Sequence, residues 1–220
     1  MRLMLTEPVH AVMIDTDLVF LDIDADTYFC LPLPAGLARL DGERLETPDP
    51  LLGEELMAAG LARRDQVEAG PSRRAPPPPP SRTARRLLER SGDAGVRIRP
   101  AHLGALAAAI RAGVASRRRT FRQLIEAHTD TEGEGPVELD RLLSDIAVWR
   151  SLAPWLPLDG VCLFRSGMLS AFLRSLGHRP TWVFGVRTWP FQAHCWLQAE
   201  DIALDDEAER LCAFAPILGA

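Results

Sequence analysis

Three residues in the last third of the chain, Cys162, His194 and Asp206, have side chains that together can perform nucleophilic acyl transfer. The thiol would supply an attacking thiolate, the imidazole would take the thiol proton and return it to the leaving amine, and the carboxylate would orient the imidazole. Such a set attacks a carbonyl carbon and forms a thioester. The residue types alone do not establish this chemistry, because one cysteine, one histidine and one aspartate occur in most chains of this size.

Each of these residues also has a purely structural interpretation. Cys162 could be a small thiol in a core, His194 a half-buried strand histidine with its hydrogen bonds satisfied, and Asp206 a turn carboxylate in an acidic run. Their spacing by itself leaves both interpretations open.

The segment that contains Cys162 is predicted to be a helix over 161–176. Apolar residues recur along one face of this segment, and Gly177 follows at the usual C-terminal capping position. Cys162 then lies where the helix begins. Unpaired backbone N–H groups and the positive end of the helix dipole favour the thiolate over the thiol at such a position.

Strands are predicted at 192–199 and 202–204, downstream of that helix. Side chains alternate across a strand, so His194 lies on one face of the first strand together with Trp196. If the two strands form a hairpin, Asp206 comes alongside His194. The predicted elements can therefore bring the carboxylate to the imidazole.

The remaining C-terminal elements are predominantly helical before they become strands. Helical periodicity predicts helices over 83–90, 101–117, 120–128 and 137–152, and a strand is predicted over 181–187. Helices followed by strands indicate an α+β domain.

The N-terminal region has a different pattern. Three short strands separated by Asp-rich turns are predicted at 10–14, 17–22 and 27–31, where they would form an antiparallel meander. Helices are predicted over 34–40 and 51–59. This region is thus expected to be β-β-β followed by helices.

Five consecutive prolines, residues 76–80, mark the boundary between these two regions. Consecutive prolines favour an extended polyproline II segment and cannot join a helix or a central strand. The sequence therefore predicts an N-terminal domain over 1–69, a linker over 70–82 and a C-terminal domain over 83–220. A proline ligand for an aromatic groove is the less favoured alternative.

Composition indicates a globular protein of the cytoplasm. Hydrophobic residues make up 47% of the chain, no secretory signal or membrane-spanning apolar stretch is evident, and the phosphate-binding glycine loop of nucleotide hydrolases is absent. The four cysteines form no CxxC pair and no zinc-ligand spacing. We therefore expect no membrane partner, no metal and no cofactor.

Charge is distributed unevenly along the chain. Acidic residues predominate over 1–70 and arginines over 71–125. The basic stretch could contact nucleic-acid phosphates, but no nucleic-acid-binding motif accompanies it and few aromatic residues lie among the arginines. A solvated surface is the favoured interpretation, and nucleic acid is not expected as a partner.

The C-terminal region resembles lasso-peptide B proteins, which are leader peptidases with a transglutaminase-like, papain-related fold. The resemblance is carried, in chain order, by 162–166 (CLFRS), 177–180 (GHRP), 183–186 (VFGV), 190–197 (PFQAHCWL) and 204–206 (LDD). It implies a Cys-His-Asp triad on Cys162, His194 and Asp206. The chain departs from the common pattern at Cys195, where a small residue is usual, at Gln198, where an acidic residue is usual, and at Asp205, where asparagine is usual. Asp205 is thus the alternative orienting carboxylate, and the offset from His194 favours Asp206.

Residues 8–66 are similar to a RiPP recognition element, a small winged-helix-like domain that binds leader peptides. The similarity is carried by residues 18–22 (LVFLD), 27–31 (TYFCL) and the helices that follow them. In that family a leader adds as a strand beside the third strand. The implied leader-binding residues are Tyr28, Phe29, Cys30 and Leu31, facing the segment 51–61.

Both resemblances together imply a cysteine peptidase that binds a lasso precursor peptide by its leader and hydrolyses the leader–core bond. The freed core amine would pass to an asparagine-synthetase-like, ATP-dependent lasso cyclase that closes the macrolactam. Two alternatives use the same fold: a non-catalytic carrier of the precursor, and a transglutaminase-type amide transferase that accepts an amine in place of water.

Overall fold

The computed structural model describes residues 1–65, 73, 75–90, 96–129, 138–156 and 162–220. Residues 137 and 161, where two of the predicted helices begin, and residues 70–72 and 74 of the predicted linker lie outside these ranges. Within them the chain forms a mixed α+β structure with three sheets. No helix in these ranges combines the length and apolar character needed to cross a membrane.

The first sheet is the antiparallel meander predicted from the sequence. Its strands, in spatial order, are β2 (Val9–Ile14), β3 (Asp17–Asp22) and β4 (Thr27–Pro32). Because side chains alternate across a strand, β3 presents Val19 and Leu21 to one face and Leu18 and Phe20 to the other. All four are buried, in two separate clusters. The middle strand is thus covered on both faces, and β4 forms an edge of this sheet.

A second sheet completes the N-terminal part, and it was not predicted. Its strands, in spatial order, are β5 (Arg39–Asp41), β6 (Arg44–Glu46), β1 (Arg2–Leu5) and β7 (Ala62–Arg64). The predicted helix over 34–40 is wrong. Gly36 lies in the left-handed region with a φ of 80°, which interrupts a helix, and Leu40 pairs with Leu45 in the β5–β6 hairpin.

The helix predicted over 51–59 is confirmed as α1 (Pro50–Ala58). It begins at Asp49, whose side chain accepts a hydrogen bond from the backbone N–H of Leu51 at 2.9 Å. Residues 1–65 therefore contain more strand and less helix than expected. The winged-helix likeness stays a prediction.

The C-terminal part begins with helices and ends with a sheet, as predicted. Its helices are α2 (Ala84–Arg90), α3 (Pro100–Ser116), α4 (Phe121–Thr129), α5 (Leu139–Leu152), α6 (Cys162–Ser175) and α7 (Ala208–Leu211), with a 3-10 turn at Ala153–Trp155. Its strands, in spatial order, are β12 (Ala215–Gly219), β9 (Thr181–Arg187), β10 (Gln192–Ala199), β11 (Ile202–Ala203) and β8 (Arg82–Thr83). The predicted helices and strands are confirmed, whereas β8, α7 and β12 were not predicted.

The C-terminal sheet is covered on both faces, and this positions α6 against β10. Cys195 and Leu197 of β10 are buried in the cluster that contains the inner face of α6. Between them in sequence, Trp196 points to the opposite face, where it is buried with Phe214. The first residue of α6 and the side chains of β10 consequently lie close together.

The N-terminal meander and the C-terminal part share one hydrophobic core. Val19 and Leu21 of β3 belong to the same buried cluster as residues of α5, α6 and β9. Arg122 of α4 adds ion pairs across this boundary, to Glu7 at 2.8 Å and to Asp24. Strand β2 of the meander packs next to β12 of the C-terminal sheet.

The proline tract lies against the C-terminal sheet. Gln198 Nε2 donates a hydrogen bond to the carbonyl oxygen of Pro78 at 2.9 Å, and Pro80 is buried. The Ser81 backbone N–H donates to the carbonyl oxygen of Asp201 at 2.9 Å. The division of the chain into 1–69, 70–82 and 83–220 stays a prediction.

A buried polar cluster fixes the far end of α6. The Asp145 carboxylate of α5 contacts His102 Nε2 of α3 at 2.9 Å, His178 Nε2 at 2.8 Å and Arg99 Nη2 at 2.6 Å. Burial raises the pKa of Asp145, but hydrogen bonds from both imidazoles and the charge of Arg99 outweigh it and leave this pKa below its ordinary value. His178 follows α6, so the cluster ties α6 to α3 and α5.

Candidate active site

Cys162 is the first residue of α6 in the described chain, and its side chain is half-buried. The first turn of a helix has backbone N–H groups without intrahelical partners, and these groups form the positive end of the helix dipole. Within the described residues, Cys162 lies in the first turn of α6.

His194 lies on β10, and its imidazole contacts the carboxylate of Asp206. The distance from His194 Nε2 to Asp206 Oδ2 is 2.6 Å. Strand β11 pairs with β10 through Ala199 and Ile202, so the chain turns back and brings Asp206 alongside His194. Because Nε2 is engaged by Asp206, Nδ1 is the ring nitrogen left to face Cys162.

The neighbouring carboxylate, Asp205, points elsewhere. Its Oδ2 accepts from Ser166 Oγ at 2.5 Å, and its Oδ1 accepts from the Leu197 backbone N–H at 2.8 Å. Burial raises the pKa of Asp205 to about 6, although these two hydrogen bonds act to lower it. Ser166 lies on α6, so Asp205 links the helix of Cys162 to the strand of His194.

Cys162 and His194 stabilise each other's charged forms. Hydrogen bonds from Cys195 and His194 lower the pKa of Cys162 to about 4, although burial acts in the opposite direction. Hydrogen bonds to Asp206 and Cys162 raise the pKa of His194 to about 9. At neutral pH the site therefore holds a thiolate and an imidazolium, which is the reactive state of a cysteine nucleophile.

Cys195 is a functional neighbour that sequence reasoning did not assign. It lies on β10 next to His194 and is buried. Its thiol donates a hydrogen bond to the Cys162 thiolate. That interaction, together with burial, raises the pKa of Cys195 well above its ordinary value. The only sequence signal was that a small residue is usual at this position in the resembling family.

The residues predicted to bind a leader are divided between the two faces of β4. Tyr28 and Cys30 pack against the core that contains β10 and α6, and Leu31 packs against the N-terminal core. Phe29 is 44% exposed. Tyr28 thus faces the core against which Cys162 also packs. The side chains of Phe29 and Leu31 lie on the opposite face of β4.

Aromatic residues of the β9–β10 turn adjoin this arrangement. The rings of Tyr28 and Phe191 have centroids 6.0 Å apart. Trp189 is largely exposed, and its Nε1 donates to Asp17 Oδ2 at 2.7 Å. Trp196, on the next position of the same strand face as His194, is fully buried in the core. Among the described residues, no three His, Cys, Asp or Glu side chains are grouped to hold a metal ion.

Replacing Cys195 by alanine is expected to raise the pKa of Cys162 from about 4 toward the ordinary thiol value, since a thiol donor to the thiolate is lost. A hydrogen bond to a charged group contributes about 1.5–3 kcal/mol, so the lower thiolate fraction at pH 5 should slow alkylation of Cys162 by iodoacetamide about twofold to fifteenfold. Peptide mapping of the adduct across a pH series measures this rate. Cys212→Ala, at an exposed thiol, should leave the profile unchanged, and an unchanged profile in Cys195→Ala would contradict the prediction.

A protein-family model described as the transglutaminase-like superfamily matches residues 104–219, which is more than half of the chain. The matched segment contains Cys162, His194 and Asp206. No curated protein and no solved structure matches the chain.

Proposed function

Because the chain belongs to the transglutaminase-like superfamily, we propose that it is a cysteine peptidase with Cys162 as nucleophile, His194 as base and Asp206 as orienting carboxylate. The superfamily includes both cysteine peptidases and transglutaminases. The proposed substrate is a ribosomally made lasso-peptide precursor. The proposed reaction is hydrolysis of the bond between its leader and its core.

One observation carries this proposal: the His194 imidazole contacts the Asp206 carboxylate, 2.6 Å from Nε2, and also shares a hydrogen bond with the Cys162 thiol. Hydrogen bonds from Cys195 and His194 lower the pKa of Cys162 to about 4, whereas a structural core thiol would stay protonated at neutral pH. Hydrogen bonds to Asp206 and Cys162 raise the pKa of His194 to about 9. Such strong perturbation of two neighbouring groups is characteristic of reacting groups.

The geometry supports a two-step hydrolysis. The Cys162 sulfur bonds to the carbonyl carbon of the scissile amide, and the His194 imidazolium gives its proton to the leaving nitrogen. The freed amine leaves, and a thioester joins the leader to Cys162. Neutral His194 then takes a proton from water, whose oxygen attacks the thioester and releases the leader carboxylate. Asp206 holds the imidazole through both steps.

Strand β4 offers a docking edge for the leader. In the described sheet β2-β3-β4, one side of β4 is paired with β3 and the other forms the sheet edge. An added strand antiparallel to β4 would run from the end at Pro32 toward the end at Thr27, next to Tyr28. The C-terminal end of a leader bound this way would point toward Cys162, and tethering would raise the local concentration of the scissile bond.

The proposed product is a core peptide with a free α-amine. Macrolactam formation from that amine needs an activated carboxylate, which a partner cyclase of the ATP-dependent, asparagine-synthetase-like class would supply. The cyclase is therefore the proposed protein partner, and any dependence on ATP would reside there.

The test is mass spectrometry of a lasso-type precursor peptide from the same gene cluster, incubated with this protein in H2-18O, with and without the cyclase and ATP. We expect one cut, with one 18O atom in the new leader carboxylate, because water resolves the thioester. The same reaction with an added primary amine separates the transferase alternative, which would yield an amine adduct in place of the labelled acid.

Two results would overturn the proposal. An intact peptide in every reaction, despite retained leader binding by fluorescence anisotropy, would indicate a carrier. A predominant amine adduct would indicate an amide transferase.

A further inference from the structure

We propose that Tyr28, from the N-terminal meander, is a catalytic residue whose hydroxyl donates a hydrogen bond to the carbonyl oxygen of the acyl group that Cys162 attacks. This inference rests on the proposed acyl chemistry of Cys162 but on no particular peptide substrate. It makes the N-terminal part a component of the active site as well as a docking element.

The register of the meander determines where Tyr28 points. Tyr28 pairs with Leu21 of β3, and both side chains lie on the sheet face that packs into the core shared with α6 and β10. On that face Tyr28 meets Phe191, which immediately precedes β10, with ring centroids 6.0 Å apart. Three residues after Phe191, β10 carries His194, followed by Cys195. Tyr28 and Cys162 therefore pack against the same core, next to the start of β10.

Several contacts hold this part of the meander in place. Asp22 Oδ1 accepts hydrogen bonds from the backbone N–H groups of Asp24 and Ala25, at 2.9 and 3.1 Å, and so fixes the turn that leads into β4. Asp24 is ion-paired with Arg122 of α4. At the other end of β3, Asp17 accepts from Trp189 Nε1 at 2.7 Å. The meander therefore contacts the C-terminal part at both ends of β3, through Asp24 at one end and Asp17 at the other.

The Tyr28 hydroxyl is available to a ligand. It makes no hydrogen bond to any described residue, and it is not among the described polar atoms that are both fully enclosed and unpaired. Burial raises the pKa of Tyr28, and the nearby charges of Asp26 and Cys162 act in the same direction, so the side chain stays a neutral O–H donor. A neutral phenolic O–H that packs against the same core as Cys162 suits a developing oxyanion.

In the proposed step the Cys162 sulfur forms a bond to the carbonyl carbon, and the C=O π electrons move onto oxygen. The Tyr28 O–H and the Cys162 backbone N–H donate hydrogen bonds to that oxygen without transferring a proton. The tetrahedral intermediate then re-forms the C=O bond, the C–N bond breaks, and the His194 imidazolium protonates the leaving nitrogen.

The test compares Tyr28→Phe with the wild-type protein in two reactions of Cys162, using the full chain. Acylation by p-nitrophenyl acetate passes through a tetrahedral oxyanion, whereas alkylation by iodoacetamide is a direct displacement at carbon without one. Both adducts are quantified on the Cys162 peptide by mass spectrometry. We expect Tyr28→Phe to slow acylation by about tenfold to a thousandfold and to change alkylation by less than about twofold, because an oxyanion donor acts only on the first reaction.

The control is Thr27→Val, which deletes a hydroxyl on the same strand that donates only to the Ala25 carbonyl oxygen in the described chain. It should leave both rates and the thermal midpoint unchanged. Equal acylation rates in Tyr28→Phe and wild type would overturn the proposal. A parallel loss of acylation and alkylation would also overturn it, since that pattern indicates an altered Cys162 environment.

The two reagents also keep this inference separate from the proposed function. If the wild-type protein is acylated at Cys162 but leaves every precursor intact, the peptidase proposal fails while the role of Tyr28 is still decided by the rate ratio. If precursor is cleaved equally by wild type and Tyr28→Phe at saturating substrate, the role of Tyr28 fails and the peptidase proposal stands.

Discussion

Replacing Cys162 by alanine is expected to lower kcat/KM for precursor cleavage by about 10⁴-fold or more, because Cys162 is the thiol that hydrogen-bonds His194 in the described part of the chain. Cys195 cannot substitute for it, since it is buried and its pKa is raised well above the ordinary value. Progress curves of leader release, followed by mass spectrometry at several substrate concentrations, measure the change.

The loss in Cys162→Ala should be chemical rather than structural. Leader affinity, measured by fluorescence anisotropy, and the thermal midpoint should stay near the wild-type values, because the side chain is half-buried at a helix start. Cys212→Ala should retain the full rate, because the Cys212 thiol is exposed and donates to the Glu209 carbonyl oxygen. Cleavage by Cys162→Ala at more than about 1% of the wild-type rate would rule out Cys162 as the nucleophile.

Replacing Asp206 by asparagine is expected to reduce kcat by about 10² to 10⁴-fold with little change in fold. The carboxylate hydrogen bond to His194 Nε2, at 2.6 Å, holds the imidazole and stabilises its charged form. Asparagine keeps the shape but removes the charge. Single-turnover kinetics on the precursor would show the loss in the acylation step.

The pH profile gives a second and more specific readout of Asp206. In the wild type, kcat/KM should rise with the ionisation of Cys162, pKa about 4, and fall with the deprotonation of His194, pKa about 9. Removing the Asp206 charge lowers the pKa of His194, so the basic limb moves to lower pH. His194 stays protonated near pH 4, so the acidic limb, which is set by Cys162, should stay in place. The pH plateau should therefore narrow from its basic side alone.

Asp205→Asn is the matched control, since Asp205 is the adjacent carboxylate. It contacts Ser166 and the backbone of Leu197 rather than His194. This variant should keep both pH limbs in place and lose activity by less than about tenfold. It should not lower the thermal midpoint at neutral pH, because burial already disfavours the charged Asp205 carboxylate more than its hydrogen bonds stabilise it. If the pH profile of kcat/KM narrows in Asp205→Asn and not in Asp206→Asn, then Asp205 and not Asp206 is the carboxylate that orients His194.

The sequence by itself was sufficient for the elements whose side chains repeat at a helical or strand period. The three strands of the meander, helices α2 to α6 and strands β9 to β11 follow from local patterns, because one face of each element must be buried. It was insufficient where an element is held by distant partners. Strands β5 and β6 are three residues long, which is too short to show a period, and β12 contains Pro216. Pairing defines these strands: β6 pairs with β1, β5 with β6, and β12 with β9.

For the candidate site, the sequence determined the residue types and the chain order of Cys162, His194 and Asp206, as well as the helix start at Cys162. Only the tertiary structure decided which of two adjacent aspartates meets the imidazole. The chain leaves β11 with Asp205 directed toward α6 and Asp206 toward β10. Both aspartates lie in the bend that follows β11, so the direction of each side chain depends on the tertiary contacts that it makes.

The tertiary structure alone also placed Cys195 against Cys162 and turned Tyr28 toward them. Cys195 reaches Cys162 because α6 packs on that face of β10, and Tyr28 reaches the site because the meander shares its core with the C-terminal sheet. The hydrophobic period of a segment indicates which of its faces is buried. It does not indicate which distant segment packs against that face. The residue types and chain order of Cys162, His194 and Asp206 can therefore be read from the sequence. The residues that surround them depend on how the two sheets and α6 pack together.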